Sequence, residues 1–229
     1  MVKHPYNTRW TVPAGTRILI VGTAPPPRFD EPKGLRGNDF DFFYGSEDNY
    51  MWQYLDDIAL EIDGARLFSR TEVILNGKKK IDYTDTSEEC CRIADRFLRK
   101  RLLWMKDVLE DYTRKSGKER LATDNALVVS DLSACTDFVS VLEETSTIDT
   151  LAFTSRDAAV WSLKRLGDQL RTDTFEKLML GLKHKSQQGE IWQGDILGRG
   201  FRLLVLPSPS GRAASPKTDV LIYRGLLFA

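Results

Sequence analysis

The chain has 229 residues, with 33 basic and 33 acidic side chains and a formal net charge of zero. This length is enough to bury a substantial core, and we expect a single domain over residues 1–229. The zero net charge argues against a broadly basic surface, so a nucleic acid would have to be bound by positive charge gathered locally.

The cysteine content argues against two further classes of protein. The three cysteines are Cys90, Cys91 and Cys135, two of them adjacent, and none lies in a CxxC pair. This pattern fits neither a disulfide scaffold nor an all-cysteine metal site. With no signal peptide and no long apolar run, we expect a soluble intracellular protein.

The first elements are predicted from apolar runs and from the residues that end those runs. Residues 1–16 are polar and predict a flexible arm. Residues 17–23 predict a buried strand, which the prolines at 25–27 end. After a charged loop at 28–40, a helix is predicted from residue 51 to about residue 62, because its apolar residues fall on one face.

The next stretch predicts a helical insertion over residues 63–123. It opens with polar residues, including the lysine run 78–80, which we interpret as a solvated loop. The sequence from Thr86 to Glu89 matches a capping box and predicts a long helix reaching about residue 115.

The remaining elements predict the fold class. Buried strands are expected at residues 126–131, 150–154 and 203–206, with helices at 155–170 and 217–228. Strands separated by helices indicate an α/β fold, a three-layer α/β/α sandwich with a four-stranded parallel sheet. Such sheets bind ligands at the carboxyl ends of their strands, where residues 22–24, 130–131, 154–156 and 207–212 lie.

The last strand runs into a loop of chemical interest. Its sequence, LPSPSGRAA at residues 206–214, offers two hydroxyls, a glycine and an arginine. It resembles the second signature loop of the uracil-DNA glycosylase superfamily, most closely that of the mismatch-specific thymine/uracil branch. The resemblance implies DNA binding by Ser208, Ser210, Gly211 and Arg212. The serines would contact phosphates, and Arg212 would fill the space left by a flipped nucleotide.

A second motif lies upstream. Gly-Thr-x-Pro begins at Gly22, and Phe-Tyr-Gly-x-x-x-Asn-x-x-Trp runs from Phe43 to Trp52. Together they resemble the first motif region of the hypoxanthine/uracil branch of the same superfamily. The resemblance implies that Asn49 is catalytic, with Asp131 as the second catalytic candidate, although capping a helix is the commoner role of asparagine at such a position. Mismatch-specific relatives carry a catalytic asparagine where this chain has Ala24, so the branch stays open.

The base pocket is expected to include Gly22, Thr23, Ala24, Phe43 and Tyr44. Backbone N–H groups near Thr23 would bind a base oxygen, and either aromatic ring would stack on the base or pack in the core. Asp131 ends a predicted strand where many relatives carry a residue that contacts the base edge. As an acceptor only, it would favour an N–H or amino group, as on hypoxanthine, over plain uracil. The alternative is that Asp131 caps the turn at 132–134.

These expectations combine into one functional hypothesis. The resemblance implies a monofunctional DNA glycosylase that flips a damaged or modified base (uracil, hypoxanthine or a modified cytosine) and hydrolyses its bond to the sugar with water. We expect DNA as the partner, a monomer, no membrane, no metal and no cofactor. His4 and His184 match neither motif, and no lysine matches a Schiff-base position. The alternatives are a weakly active or inactive DNA- or nucleotide-binding module of the same fold, and a small-molecule N-glycosidase.

Overall fold

The computed structural model of the chain describes residues 2–30, 34–75, 78–129, 131–167, 170, 172–182 and 189–228. The strands are β1 (Val2–Lys3), β2 (Ile18–Gly22), β3 (Arg70–Leu75), β4 (Lys78–Tyr83), β5 (Leu103–Asp107), β6 (Asp111–Arg114), β7 (Leu127–Val128), β8 (Thr150–Phe153), β9 (Gly189–Ile196) and β10 (Arg199–Val205). The helices are α1 (Met51–Asp63), α2 (Ser87–Lys100), α3 (Phe138–Glu144), α4 (Arg156–Arg165), α5 (Thr172–Gly181) and α6 (Pro216–Leu227).

The central sheet has five strands in the order β5-β2-β8-β10-β9. The first four are parallel, and β9 joins the edge antiparallel to β10. Strands β2, β8 and β10 confirm three of the predicted strands. The predicted strand at residues 126–131 is wrong as a member of this sheet. Among the described residues of this range only β7 forms, and it lies in a separate three-stranded sheet with β1 and β6.

The fourth parallel strand, β5, comes from within the predicted long helix. Thr86 does begin α2 with a capping box, but the helix ends at Lys100. The chain then turns at Leu102, whose φ of 55° lies in the left-handed region without a glycine to signal it. Because a short apolar run fits a buried strand as well as a helix, periodicity alone could not separate the two.

Residues 2–16 are not the loose arm that their polarity predicts. Strand β1 pairs antiparallel with β6. His4, Tyr6 and Asn7 are buried, with Tyr6 only 1% exposed. The segment therefore contributes to the core and, as shown below, to the candidate site.

The predicted helical insertion at residues 63–123 is also of mixed structure. It holds the antiparallel hairpin β3–β4, helix α2, and strands β5 and β6, of which β5 belongs to the central sheet. The sequence analysis also missed α3, α5 and β9. The β9–β10 hairpin turns at Leu197 and Gly198, which both have positive φ, 54° and 70°, as tight hairpins require.

The helices pack on the sheet and on one another. Helix α4 contacts β2 and β8, α2 contacts β5, and α6 contacts both α1 and β9. Between α1 and α6, the hydroxyl of Tyr54 donates to Asp219 at 3.1 Å. The three-layer arrangement of the fold stays a prediction. Among the described residues, no helix is long and apolar enough to cross a membrane.

Candidate functional site

Two adjoining cavities open where the parallel strands end. The inner cavity, of about 70 Å³, is lined by Thr23, Ala24, Pro25, Pro26, Phe29, Phe42, Tyr44, Gly45, Ser46, Asn49 and Asp107. The outer cavity, of about 140 Å³, is lined by Thr23, Ala24, Pro26, Arg28, Tyr44, Ser46, Asp48, Asn49, Ala122, Asp124, Thr154, Ser155, Ser208, Pro209 and Ser210. Both volumes are several times what one water molecule needs. A wider cleft beside Arg17 and Asp149, near the amino ends of β2 and β8, collects no residue of either motif.

The two motif segments lie side by side at the mouth of these cavities. The N–H of Tyr50 donates to the carbonyl of Pro209 at 2.8 Å, and the N–H of Gly211 donates to the carbonyl of Asp48 at 2.9 Å. Asn49 and Ser210 thereby face each other as an isolated antiparallel bridge. Segments distant in sequence are thus joined through their backbones, and their side chains share one site.

Asn49 lies at the junction, since it lines both cavities. Its Oδ1 accepts a hydrogen bond from the N–H of Met51 at 2.9 Å. Tyr50, which stands directly before α1, makes no side-chain cap bond, so Asn49 supplies the capping hydrogen bond at the start of this helix. The local bond uses one acceptor position of Oδ1 and fixes the amide in place, while the half-buried side chain still contributes to the cavity wall.

Asp131 lies elsewhere. It is exposed and caps a short 3-10 turn, Leu132–Ala134, by accepting from the N–H of Ser133 at 2.6 Å. The Ser133 hydroxyl and N–H both hold the pKa of its carboxyl below the usual value. Asp131 is absent from the lining of both cavities, so the capping alternative matches the structure. The strand-end position that we had given it belongs to Asp107.

Asp107 forms the floor of the inner cavity, at the end of β5. It is 6% exposed, and its Oδ2 lies 2.8 Å from Nε2 of His4. The Nδ2 of Asn7 donates to the Asp107 carbonyl at 2.8 Å, and the Asp107 N–H donates to Oδ1 of Asn7 at 3.1 Å. Both partners come from the amino-terminal segment, which therefore holds this carboxylate in place.

The hydrogen bonds around His4 define its tautomer. Its Nδ1 accepts from the backbone N–H groups of Tyr6 at 3.1 Å and Asn7 at 3.0 Å. A nitrogen that accepts two hydrogen bonds carries no proton, so the proton lies on Nε2 and is donated to Asp107. Since His4 occupies Oδ2, the acceptor that Asp107 retains for a ligand is Oδ1.

Gly22 and Tyr44 lie beside this acceptor. A Cβ at Gly22 would come within 2.1 Å of Oδ1 of Asp107 and 2.3 Å of the Tyr44 hydroxyl, so only glycine fits. Tyr44 has a positive φ of 56°, which is costly for an aromatic residue. Its hydroxyl lies 2.9 Å from Oγ1 of Thr154. Burial, together with the nearby charge of Asp107, raises the Tyr44 pKa well above its usual value, so the phenol keeps its proton.

Of the two aromatic candidates, only Tyr44 lines the cavities. Phe43 packs behind the site, with its ring stacked on His4 at 6.0 Å and its carbonyl accepting from the indole N–H of Trp52. Phe43 therefore has the core role that we had left open, and its neighbour Phe42 lines the inner cavity.

The residues predicted to bind DNA surround the mouth. Ser208 and Ser210 line the outer cavity, and Arg212 is exposed in the turn that follows. The loop is anchored by Tyr223 of α6, whose hydroxyl donates to the Pro207 carbonyl at 2.8 Å. Gly211 is required as a glycine for a structural reason, since a Cβ there would come within 2.7 Å of the Asp48 carbonyl oxygen.

The chain was compared with protein families, with curated proteins and with solved structures. No protein-family model matches the sequence, and no curated protein matches it. Among solved structures, the chain is similar to the solution NMR structure of a Methanosarcina acetivorans protein named "putative Uracil DNA glycosylase". The TM-score is 0.49 at 16% sequence identity, over 92% of this chain and 89% of the other. At this identity and TM-score the likeness does not bear on function.

The sequence analysis missed three site residues: His4, Asp107 and Asp124. Asp124 reaches the outer cavity from a 3-10 turn, Asp124–Ala126. Its Oδ2 accepts from Oγ1 of Thr23 at 3.0 Å, and Thr23 Oγ1 lies 2.9 Å from Oγ of Ser155. None of the three belongs to a local motif. The one signal in the sequence was the Asp107 carboxylate, which follows the apolar run at residues 102–105 after a single lysine.

Proposed function

We propose that the protein is a monofunctional DNA glycosylase that flips a base into the inner cavity and hydrolyses its bond to deoxyribose with a water molecule. One observation carries the proposal. Two segments that resemble glycosylase motifs are hydrogen-bonded to each other at the mouth of a cavity with a carboxylate floor. The proposal needs no metal and no cofactor, and its partner is DNA.

The cavities suit the two halves of a flipped nucleotide. The inner one offers the rings of Phe29, Phe42 and Tyr44 to a planar base and the Asp107 carboxylate to its edge. Asn49, at the junction, is suited to orient a water below the anomeric carbon. In the outer cavity, Ser208 and Ser210 offer hydroxyls to phosphate oxygens, which are common contacts to a nucleic-acid backbone.

The Asp107 floor favours hypoxanthine over uracil. A carboxylate accepts hydrogen bonds and repels carbonyl oxygens. In uracil the N3–H is flanked by two carbonyls, whereas in hypoxanthine the N1–H has a carbonyl on one side and a C–H on the other. The amino group of a modified cytosine would also suit Asp107. This specificity, which we had first given to Asp131, is now assigned to Asp107.

The test is a panel of oligonucleotides carrying hypoxanthine, uracil, a thymine mismatch or a modified cytosine, with alkaline cleavage of the abasic product as readout. We expect the wild-type protein to release hypoxanthine faster than uracil. Asp107→Asn adds an N–H donor and should shift the preference by about tenfold toward uracil, because one wrong polar contact costs about 1–3 kcal/mol. Unchanged preference in this variant would contradict the assignment of Asp107.

One observation favours a second candidate function. Ala24, whose methyl group lines both cavities, brings no functional group to the position where mismatch-specific relatives carry a catalytic asparagine. A DNA- or nucleotide-binding module of the same fold would have this feature. It would bind the panel oligonucleotides and release no base from any of them.

A further inference from the structure

The proposed reaction needs a group that Asn49 cannot supply. An attacking water must lose a proton as its oxygen bonds to the anomeric carbon. A carboxamide can orient that water, but it is not a base at neutral pH. A carboxylate among the side chains that line the cavities is suited to accept that proton.

The carboxylates that line the two cavities are Asp48, Asp107 and Asp124. Asp48 is mostly exposed and pairs with Arg28 at 3.3 Å and Arg36 at 3.4 Å. Asp107 lies in the inner cavity, where the base would bind, and is held by the Nε2–H of His4. Asp48 is held by its ion pairs, and the free oxygen of Asp107 is assigned to the edge of the base, which leaves Asp124.

Asp124 has the surroundings of a base. It lines the same outer cavity as Asn49, and its hydrogen-bond partners are the neutral hydroxyls of Thr23 and Ser155. Within the described part of the chain no arginine, lysine or histidine forms an ion pair with it. Burial raises its pKa above the ordinary value for aspartate, and the charges of Asp157 and Asp107 add to the rise. Hydrogen bonds from Thr23 and Ser155 act in the opposite direction without cancelling it.

We propose that Asp124 is the general base of this site, an inference that rests on the proposed function. As the water oxygen bonds to the anomeric carbon, one water proton passes to the Asp124 carboxylate. The glycosidic C–N bond breaks, and its electron pair leaves with the base, which then takes a proton from solvent. The products are a free base and an abasic sugar with a hydroxyl at the anomeric carbon, so one water molecule is consumed.

The role gives Asp124 a signature in the pH dependence. The base works only when ionised, so the single-turnover rate should fall as the pH falls through the Asp124 pKa. Because that pKa is raised, the acid limb should lie at a higher pH than for an exposed aspartate. Asp124→Asn should lower the plateau rate by about 10²–10⁴-fold and remove the limb.

Two further variants make the test specific. Asp124→Ala with added formate should regain activity, since a small carboxylate can enter the outer cavity. Asp157→Asn is the matched control, an exposed aspartate in the first turn of α4 that lines neither cavity. It should keep the plateau rate and move the acid limb to lower pH, because the charge of Asp157 helps to raise the Asp124 pKa.

The outcomes separate this inference from the proposed function. The inference is overturned if Asp124→Asn stays within twofold of wild type. It is also overturned if the rate falls while the acid limb remains and Asp124→Ala does not respond to formate. A wild-type protein that releases no base from any panel oligonucleotide overturns the proposed function, and the role of Asp124 falls with it.

Discussion

The mouth and the floor of the candidate site are built in different ways. The mouth consists of two contiguous segments joined by backbone hydrogen bonds, Tyr50 to Pro209 and Gly211 to Asp48, and it carries exposed side chains. The floor consists of the buried side chains of His4, Asn7 and Asp107. The first two come from the amino-terminal segment, and Asp107 comes from the end of β5, about 100 residues later. A mouth of this kind leaves a motif in the sequence, whereas such a floor leaves none.

Of the two regions, the floor is expected to show the larger effect, from Gly22→Ala. The added methyl group would lie 2.1 Å from Oδ1 of Asp107 and 2.3 Å from the Tyr44 hydroxyl, so both must move. We expect base release to fall by more than about 100-fold and the free energy of unfolding to fall by about 1–3 kcal/mol. Single-turnover kinetics and denaturant unfolding measure the two effects.

Gly225→Ala is the control for this change. Gly225 lies in α6, and a Cβ there would meet no atom within 4 Å. Activity should be unchanged, and the free energy of unfolding should rise by about 0.5–1 kcal/mol, because alanine favours a helix over glycine. A Gly22→Ala protein as active as this control would show that Asp107 and Tyr44 are not held as described.

A smaller and more selective effect is expected at the mouth, from Arg212→Ala. Arg212 is exposed beyond the outer cavity, where a guanidinium can fill the gap left by a flipped base. Arg212 would oppose the return of the flipped base to the stack. A duplex favours that return, whereas a single strand does not. We expect a loss of about tenfold on a matched duplex, less on a mismatched duplex, and almost none on a single strand.

The exposed Lys217, the next cation along the chain, provides the matched control. Lys217→Ala should change the three single-turnover rates little and by the same factor. Equal losses for Arg212→Ala on matched duplex, mismatched duplex and single strand would instead indicate a role in folding or in general phosphate attraction.

The same contrast explains how much of the fold could be predicted. Strands β2, β8 and β10 were visible because each contains a continuous apolar run, and prolines follow β2 and β10. Strand β5 was hidden because the chain turns after α2 at Leu102, in a left-handed conformation that no glycine marks. Because β5 was missed, the carboxylate at a strand end was expected to be Asp131, which is a turn cap, rather than Asp107.

The residues of the site divide in the same way into those that could be predicted from the sequence and those that could not. Ser208, Ser210 and Asn49 could be proposed from the sequence because they belong to local motifs, and all three line the outer cavity. Their roles stay predictions. His4 was set aside because its partner, Asp107, is distant in sequence, and such pairing follows from tertiary packing alone. Phe43 and Phe42 are adjacent, and only the packing against His4 and Trp52 decides which of them faces the cavity.

The most direct test of the account is the single-turnover rate of Asn49→Ala on hypoxanthine-containing DNA, measured together with its affinity for the same DNA. Asn49 joins the mouth to the floor, and positioning a water acts on the transition state rather than on binding. The account predicts a rate lower by orders of magnitude with nearly unchanged affinity. A variant as fast as wild type, or one whose loss is entirely in affinity, would contradict it.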